Sequence, residues 1–315
     1  MRRMSEPVLE MLWERDDPGQ ALDQRFGFDD PGAATRWVTD TLDELWGIRV
    51  DACERIVMSS GNALAWVHTP SGRMLAKWSV VPDRFARLAE VARLTAWLDD
   101  HGLPVSAPVP TLDGRLQAES GGVSVGLQRV IEGELLDTGD PAQVRAAGAM
   151  LARLQEALAK YPDADRLPGP DRVGAPLAQR VAQGGHLPAE ARPELPDLPG
   201  RQLVHYDFRS ANVLMAGDRV AAVLDLEEAQ PEHRLIELAR AAILLGTRYH
   251  DWGPVPVEVH AEFVAGYRDV CPLTPDEESW LDVLLLWQAL AMVPAGDDPT
   301  GWGPSASSRL AAGRL

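Results

Sequence analysis

Apolar and polar positions alternate in two different periods along this chain. Between residues 55 and 78 the pattern is that of short strands: one run from Arg55, a polar turn at Ser59-Ser60-Gly61-Asn62, and a second run over 63–68. Pro70-Ser71-Gly72 turns the chain again, and a third strand ends Met74-Leu75-Ala76-Lys77-Trp78. The period then changes to that of a helix over 83–100, with Phe85, Leu88, Val91, Leu94 and Leu98 on one stripe. Residues 123–130 read as another strand.

Helical periods dominate the remainder of the chain. Asp140 is placed to cap a helix that has Pro141 at its first position and Gln143 completing a capping box, with Val144, Ala147, Met150, Leu151, Leu154 and Leu158 as the buried stripe. Residues 161–200 are rich in Pro, Gly, Asp and Arg and predict a long irregular segment with one short helix over 177–183. Short strands at 203–204, 212–215 and 220–224 come next, the last two joined by the turn Ala216-Gly217-Asp218. Three more helices are predicted over 235–245, 257–270 and 281–292, the last with Thr274 and Glu277 as its capping box. Residues 294–315, full of Gly, Pro and Ser, predict a loose tail or a lid. Before residue 48 lie two helical stretches, near 8–14 and 33–46, that either brace the first lobe or serve a dimer.

The chemistry concentrates between the late strands. His205, Asp207 and Asn212 form the pattern H-x-D-x-x-x-x-N, and Asp225 closes the next apolar run. Phosphoryl transfer uses such a kit: one Asp orients the acceptor hydroxyl and takes its proton, while an Asn and a second Asp hold magnesium on the nucleotide phosphates. A hairpin running from Asn212 to Asp225 brings these two oxygen donors together, as a magnesium ion held largely by phosphate and water requires. Arg209, two residues after Asp207, either reaches the migrating phosphoryl group or makes a structural salt bridge. His205 reads as a brace for the loop. Glu227 either reaches a second metal ion or stabilises the turn after Asp225.

This run, His205-Tyr-Asp-Phe-Arg-Ser-Ala-Asn212-Val-Leu and then Val-Leu-Asp225-Leu-Glu227, resembles the aminoglycoside phosphotransferase and choline kinase-like superfamily. The likeness extends over roughly residues 48–290. It implies an α+β, bilobal protein-kinase-like fold, with a small β-rich N-lobe holding one main helix and a larger helical C-lobe. It also implies phosphorylation of small-molecule hydroxyls. The expected organisation is a helical extension over 1–47, a nucleotide-binding N-lobe over 48–131 and a catalytic C-lobe over 132–315. Three departures from the family pattern stand out: Tyr206 where Gly is usual, Glu237 where the helix after the hairpin usually starts with Asp, and little glycine in the nucleotide-covering turn.

The kinase reading assigns roles upstream. Lys77, one of very few lysines, sits where a kinase strand lysine grips the α- and β-phosphates, though an ordinary strand lysine fits the same pattern. Glu90, in the middle of the 83–100 helix, is either the partner that holds Lys77 or a solvated helix residue. Ser59, Ser60 and Gly61 either cover the phosphates or make a plain hairpin turn. Backbone groups near Gln128 and Val130, before a hinge at Ile131-Glu132-Gly133, are expected to meet the purine. Tyr249, Asp251, Trp252, Trp280 and Trp287 are candidates for the acceptor cleft or for the core.

Composition narrows the choice. With 47 acidic against 30 basic residues the net charge is −17, which argues against nucleic-acid or anionic-membrane partners. No apolar run approaches a membrane span, and the start Met1-Arg-Arg-Met-Ser-Glu-Pro7 lacks the apolar region of a secretion signal. Cys53 and Cys271 fall in opposite lobes and read as free thiols of a cytoplasmic protein. The seven histidines show no zinc-ligand spacing. The expectation is a cytoplasmic, monomeric or homodimeric phosphotransferase using ATP or GTP with Mg2+ on a small hydroxylated molecule, an antibiotic or an amino-containing metabolite. Two rivals remain: a kinase of a peptide or protein, for which too few residues lie beyond Glu227 to build a long activation segment, and a silent nucleotide-binding pseudokinase.

Overall fold

The computed structural model describes residues 6–169, 176–184, 187, 195–196, 198 and 200–311. The chain divides into two compact units, Met1–Ile131 and Glu132–Leu315.

The first unit is a six-stranded sheet with helices. Its elements are β1 (Val8–Met11), α1 (Pro18–Phe26), α2 (Pro31–Trp46), β2 (Ala52–Met58), β3 (Asn62–Thr69), β4 (Gly72–Ser79), α3 (Phe85–Asp100), β5 (Ala118–Ser120) and β6 (Val123–Arg129). Strand order is β1-β2-β3-β4-β6-β5, all antiparallel except the β1–β2 pair. Alternation along β4 sends Met74, Ala76 and Trp78 into a core with Leu22 and Phe26 of α1 and Val38, Leu42 and Trp46 of α2. Lys77 therefore lies on the opposite face of the sheet.

The prefix departs from expectation. Residues 8–11 form an edge strand, not a helix; Val8, Leu9, Met11 and Leu12 fit either period, and pairing with Arg55–Met58 decides the matter. An unexpected helix, α1, comes next. Asp17 caps it by accepting the Gln20 N–H at 2.8 Å, Pro18 takes its first turn, and Gly27 ends it at φ 74°. The sequence pattern of α2 is the same, with Asp30, Pro31 and Gly47 at φ 63°. These residues complete the first unit's sheet and core.

The second unit contains β7 (Glu134–Leu135), α4 (Pro141–Leu158), α5 (Leu177–Gln183), β8 (Arg201–Val204), β9 (Val213–Ala216), β10 (Arg219–Val223), β11 (Gln230–His233), α6 (Arg234–Leu244), α7 (Val257–Val270), α8 (Pro275–Ala291) and α9 (Trp302–Ala311). Two small antiparallel sheets, β10-β9-β7 and β11-β8, lie among helices in which α4 packs on α7 and α6 on α8.

Two capping expectations divide. Thr274 and Glu277 form their reciprocal capping box, which starts α8 at Pro275, six residues earlier than the apolar stripe alone predicts. Asp140 caps α4, but the Gln143 amide oxygen accepts from Asp137 N–H at 3.0 Å instead of closing a box. The predicted tail is ordered into α9. The Asp298 carboxylate starts it by accepting the N–H groups of Gly301, Trp302 and Gly303 at 2.9, 3.1 and 2.6 Å. Among the described residues no helix is long and apolar enough to cross a membrane.

Candidate active site

The loop from His205 to Asn212 is shaped by its own side chains and by partners from the hairpin and the helices around it. His205, fully buried, donates from Nε2 to the Leu224 carbonyl at 2.9 Å and accepts the Asp207 N–H on Nδ1 at 3.2 Å. Those two bonds define its tautomer and hold the loop against the end of the β9–β10 hairpin. Phe208 anchors the next turn, edge-on to His205 and packed against Phe263. The structure thus gives His205 a bracing position.

Asn212 turns back on the loop. Its Nδ2 donates to the Asp207 carbonyl at 2.9 Å and to Asp207 Oδ2 at 2.8 Å, so Oδ1 is the end able to meet a cation. The hairpin register pairs Val213 with Val223, and Leu224 N–H donates to the Asn212 carbonyl at 2.8 Å. Asn212 and Asp225 therefore stand at adjoining ends of one hairpin, as the spacing predicts. Asp225 adopts a left-handed backbone, φ 58°, and leads into the helical turn Leu226–Glu228 that carries Glu227.

Arg209 takes the ion-pair alternative in this structure. Its Nε donates to both oxygens of Asp207, at 3.0 and 3.2 Å, and its guanidinium lies 5.1 Å from the centre of the Trp252 ring. Asp207 Oδ2 thus receives two donors and Oδ1 only one.

Sequence reasoning missed the support beneath Tyr206. This residue sits at φ 69°, a region that favours glycine. Its N–H donates to Glu237 Oε1 at 2.7 Å, its carbonyl accepts from Arg240 Nε at 2.9 Å, and the Arg240 guanidinium covers its ring at 4.7 Å. Glu237 also accepts from Gln155 Nε2 at 2.6 Å, and Gln155 in turn accepts the Tyr267 hydroxyl at 2.6 Å. Burial drives the Glu237 carboxyl above the usual range, opposed by these hydrogen bonds, and burial likewise raises the Tyr267 phenol. The one visible signal for this network was the departure at position 237.

Candidates in the first unit occupy the sheet and its turns. Lys77 lies on β4 between Leu64 of β3 and Gly126 of β6. Glu90 lies on α3 with its carboxylate bound by Arg93, Nε to Oε2 at 3.0 Å. Ser59, Ser60 and Gly61 form the β2–β3 turn: Ser59 N–H and hydroxyl reach the Asn62 carbonyl at 2.8 and 3.3 Å. Gly61 is required locally, since a Cβ there would overlap Val81. Val130 N–H is committed to the Arg73 carbonyl at 3.1 Å, and Gln128 pairs with Leu75. Of the cleft candidates, Trp280 is core, with Nε1 donating to the Pro196 carbonyl at 2.7 Å. Trp287 lies close to Gly184. Tyr249 and Trp252 stand at the 205–212 loop, Tyr249 by a 3.3 Å bond to the Ala211 carbonyl and Trp252 beside Arg209.

A family model described as phosphotransferase enzyme family matches residues 53–281, which take in the β4 lysine, the catalytic loop and the hairpin. The chain belongs to the phosphotransferase enzyme family. Two homoserine kinases are similar to this family member. That of Methylobacillus flagellatus is 29% identical over 202 residues, 59% of this chain and 60% of that enzyme, so the chain matches less than two thirds of its length. That of Neisseria meningitidis serogroup B is 26% identical over 248 residues, 70% of this chain and 74% of that enzyme. Among solved structures, a spectinomycin phosphotransferase in complex with ADP and spectinomycin superposes with a TM-score of 0.56 at 13% identity, covering 87% of this chain and 88% of that one. The fold of this phosphotransferase family member is the protein-kinase-like α+β fold.

Proposed function

We propose that the chain transfers the γ-phosphoryl group of ATP or GTP to a hydroxyl of a small molecule, with amino-bearing alcohols such as homoserine as the first acceptors to examine. The observation that carries this reading is the juxtaposition of Asp207, Asn212 and Asp225 on one loop and hairpin. The two homoserine kinase relatives support the choice of acceptor.

Asp207 orients the acceptor hydroxyl through Oδ1, the oxygen with fewer donors, and accepts its proton as the new oxygen–phosphorus bond forms. Asn212 Oδ1 and the Asp225 carboxylate are the residues to hold Mg2+, with Glu227 next to them in sequence. This donor set fits: hard oxygens, and among the described residues no cage of three or more His, Cys, Asp or Glu, so most ligands come from phosphate and water. Magnesium, when bound, neutralises charge on the phosphates. Lys77 steadies the nucleotide phosphates, and Glu90, the Ser59-Ser60-Gly61 turn and the backbone at Gln128 and Val130 complete the nucleotide site. Val130 contributes its carbonyl, because its N–H is spent on Arg73.

The test is a Mg2+-dependent transfer assay with ATP and GTP against homoserine, choline, amino sugars, aminoglycosides, other hydroxylated antibiotics and nucleosides. Mass spectrometry reads the gain of one phosphate. The expected result is a phosphorylated product that Asp207→Ala abolishes. Nucleotide binding without any product moves the reading to a peptide acceptor or a silent module, and absence of nucleotide binding overturns it.

A further inference from the structure

We propose that Trp252 is a positioning residue for Asp207, acting through Arg209, and that the C-terminal helix locks it in place. The proposal rests on the phosphotransferase reading above, in which Asp207 is the residue that handles the acceptor.

Arg209 is only 7% exposed, yet few bonds hold its guanidinium. Nε is taken by Asp207 at 3.0 and 3.2 Å, and the outer Nη1 reaches the Thr247 carbonyl only at 3.5 Å, the limit of a hydrogen bond. Nη1 thus adds little to the hold, and the guanidinium is fastened chiefly at its Nε edge. The Trp252 ring, its centre 5.1 Å from Arg209 Cζ, adds a cation–π contact that helps fix the orientation of the guanidinium. The plane of Arg209 in turn decides which lone pairs of Asp207 stay open to an acceptor.

Trp252 is held from both sides. On one side the segment 245–252 is stapled to the catalytic loop: Ser210 N–H donates to the Leu245 carbonyl at 2.9 Å, Ser210 hydroxyl to the Thr247 carbonyl at 3.4 Å, and Tyr249 hydroxyl to the Ala211 carbonyl at 3.3 Å. On the other side Trp302 of α9, 3% exposed, donates its indole N–H to the Trp252 carbonyl at 2.9 Å. The Asp298 cap fixes the turn from which Trp302 projects. The segment carrying Trp252 is thus held by hydrogen bonds from both sides while the residue remains 42% exposed. Burial does not account for a residue left this exposed on a hydrogen-bonded segment; its contact with Arg209, the partner of Asp207, does.

The experiment compares wild type, Trp252→Ala, Trp252→Phe, Arg209→Gln and the Trp252→Ala/Arg209→Gln double variant, by steady-state kinetics with the acceptor found in the screen. The expected result is a kcat lower by about tenfold in Trp252→Ala at unchanged nucleotide KM, largely restored in Trp252→Phe. In the Arg209→Gln background the same change costs less than about twofold, because the two residues act in series. A raised acceptor KM at unchanged kcat, or additive losses in the double variant, overturns the proposal. A second readout is independent of turnover: the Arg209 Nε–H resonance, tracked by nitrogen-edited NMR, exchanges slowly in wild type and faster in Trp252→Ala and Trp302→Phe. Unchanged protection in Trp252→Ala overturns the relay even if wild type transfers no phosphoryl group, an outcome that overturns only the phosphotransferase reading.

Discussion

Glu237 and Tyr206 meet through a 2.7 Å hydrogen bond from the Tyr206 N–H to Glu237 Oε1, and this bond ties helix α6 to the residue just before Asp207. The carboxylate is almost fully enclosed and satisfies two donors at once, Tyr206 N–H and Gln155 Nε2.

Replacing Glu237 by Ala strands both donors in the interior. Each buried donor without an acceptor costs about 1 to 3 kcal/mol, so Glu237→Ala is expected to lose about 2 to 4 kcal/mol of stability, some of the cost being relieved by removing a buried acid. Because Tyr206 then loses one of its two backbone anchors, kcat falls as well. Urea denaturation and steady-state rates on the same preparation check both outcomes. A variant with unchanged stability would show that the network does not hold the loop.

Tyr206 itself predicts a smaller and less intuitive effect. A non-glycine residue at φ 69° carries a strain of about 1 to 2 kcal/mol, which Tyr206→Gly relieves. The same change removes the ring beneath Arg240, a contact of about 0.5 to 1 kcal/mol, and loosens the unfolded chain. These terms nearly cancel, so Tyr206→Gly is expected to stay within about 1 kcal/mol of wild type. Tyr206→Val keeps the strain, adds β-branching and loses the ring, and must be clearly less stable in the same melt.

The loop from His205 to Asn212 was legible because its contacts constrain spacing within a few residues. His205, Asp207 and Asn212 meet within one short loop, and the hairpin between Asn212 and Asp225 brings those two to adjoining ends. Helix α7 was legible for a similar local reason: its apolar stripe is bounded by Pro256 and Pro272. The edge strand β1 was not, because its deciding partners lie in Arg55–Met58, far along the chain. Helix α1 was overlooked although its Asp-Pro start and Gly stop repeat those of α2. Helix α9 was hidden by its composition: Gly and Pro around Trp302 read as a tail until Asp298 is seen to accept three N–H groups. In the site, Glu237 and Gln155 are 82 positions apart and leave no periodic trace.

Acid sensitivity is expected from His260 on α7. It is buried, its Nδ1 accepts from Arg309 Nη2 of α9 at 2.6 Å, and burial lowers its pKa from 6.5 to about 3, helped by the Arg309 charge. The folded state therefore refuses a proton that the unfolded chain accepts. Stability is fully present above pH 6.5 and is lost as pH falls from 6.5 toward 3, by up to about 1.4 kcal/mol per pH unit from this residue. The His260→Gln variant keeps an acceptor for Arg309 without the titration. Urea midpoints across pH 7.5 to about 4.5 should fall less steeply for the variant than for wild type. Parallel slopes remove His260 as a source of acid sensitivity.

The last prediction concerns how closely α4 and α7 approach. A Cβ on Gly148 would overlap the Phe263 carbonyl oxygen and lie 3.0 Å from Tyr267 N, while a Cβ on Gly266 would overlap the Arg145 carbonyl oxygen. Each helix thus places a glycine against the other's backbone, and backbone cannot move aside as a flexible side chain can. Arg145 borders the crossing through ion pairs to Glu262 at 2.8 Å and Asp269 at 2.7 Å. Gly148→Ala gains about 1 kcal/mol of helix propensity but must force the helices apart, an overpacking cost of about 3 kcal/mol or more. The expected net loss is about 2 kcal/mol or more, with Gly266→Ala similar. Gly19→Ala in α1 is the contrast: its added Cβ presses at 3.3 Å on a side-chain atom, Asp17 Oδ1, and on no backbone, so it should cost far less than Gly148→Ala. Separation at this crossing also draws Tyr267 of α7 away from Gln155 of α4, the residue that bonds Glu237. Gly148→Ala should therefore lower kcat below the melting range, and normal kcat in a destabilised Gly148→Ala would show that the crossing serves stability alone.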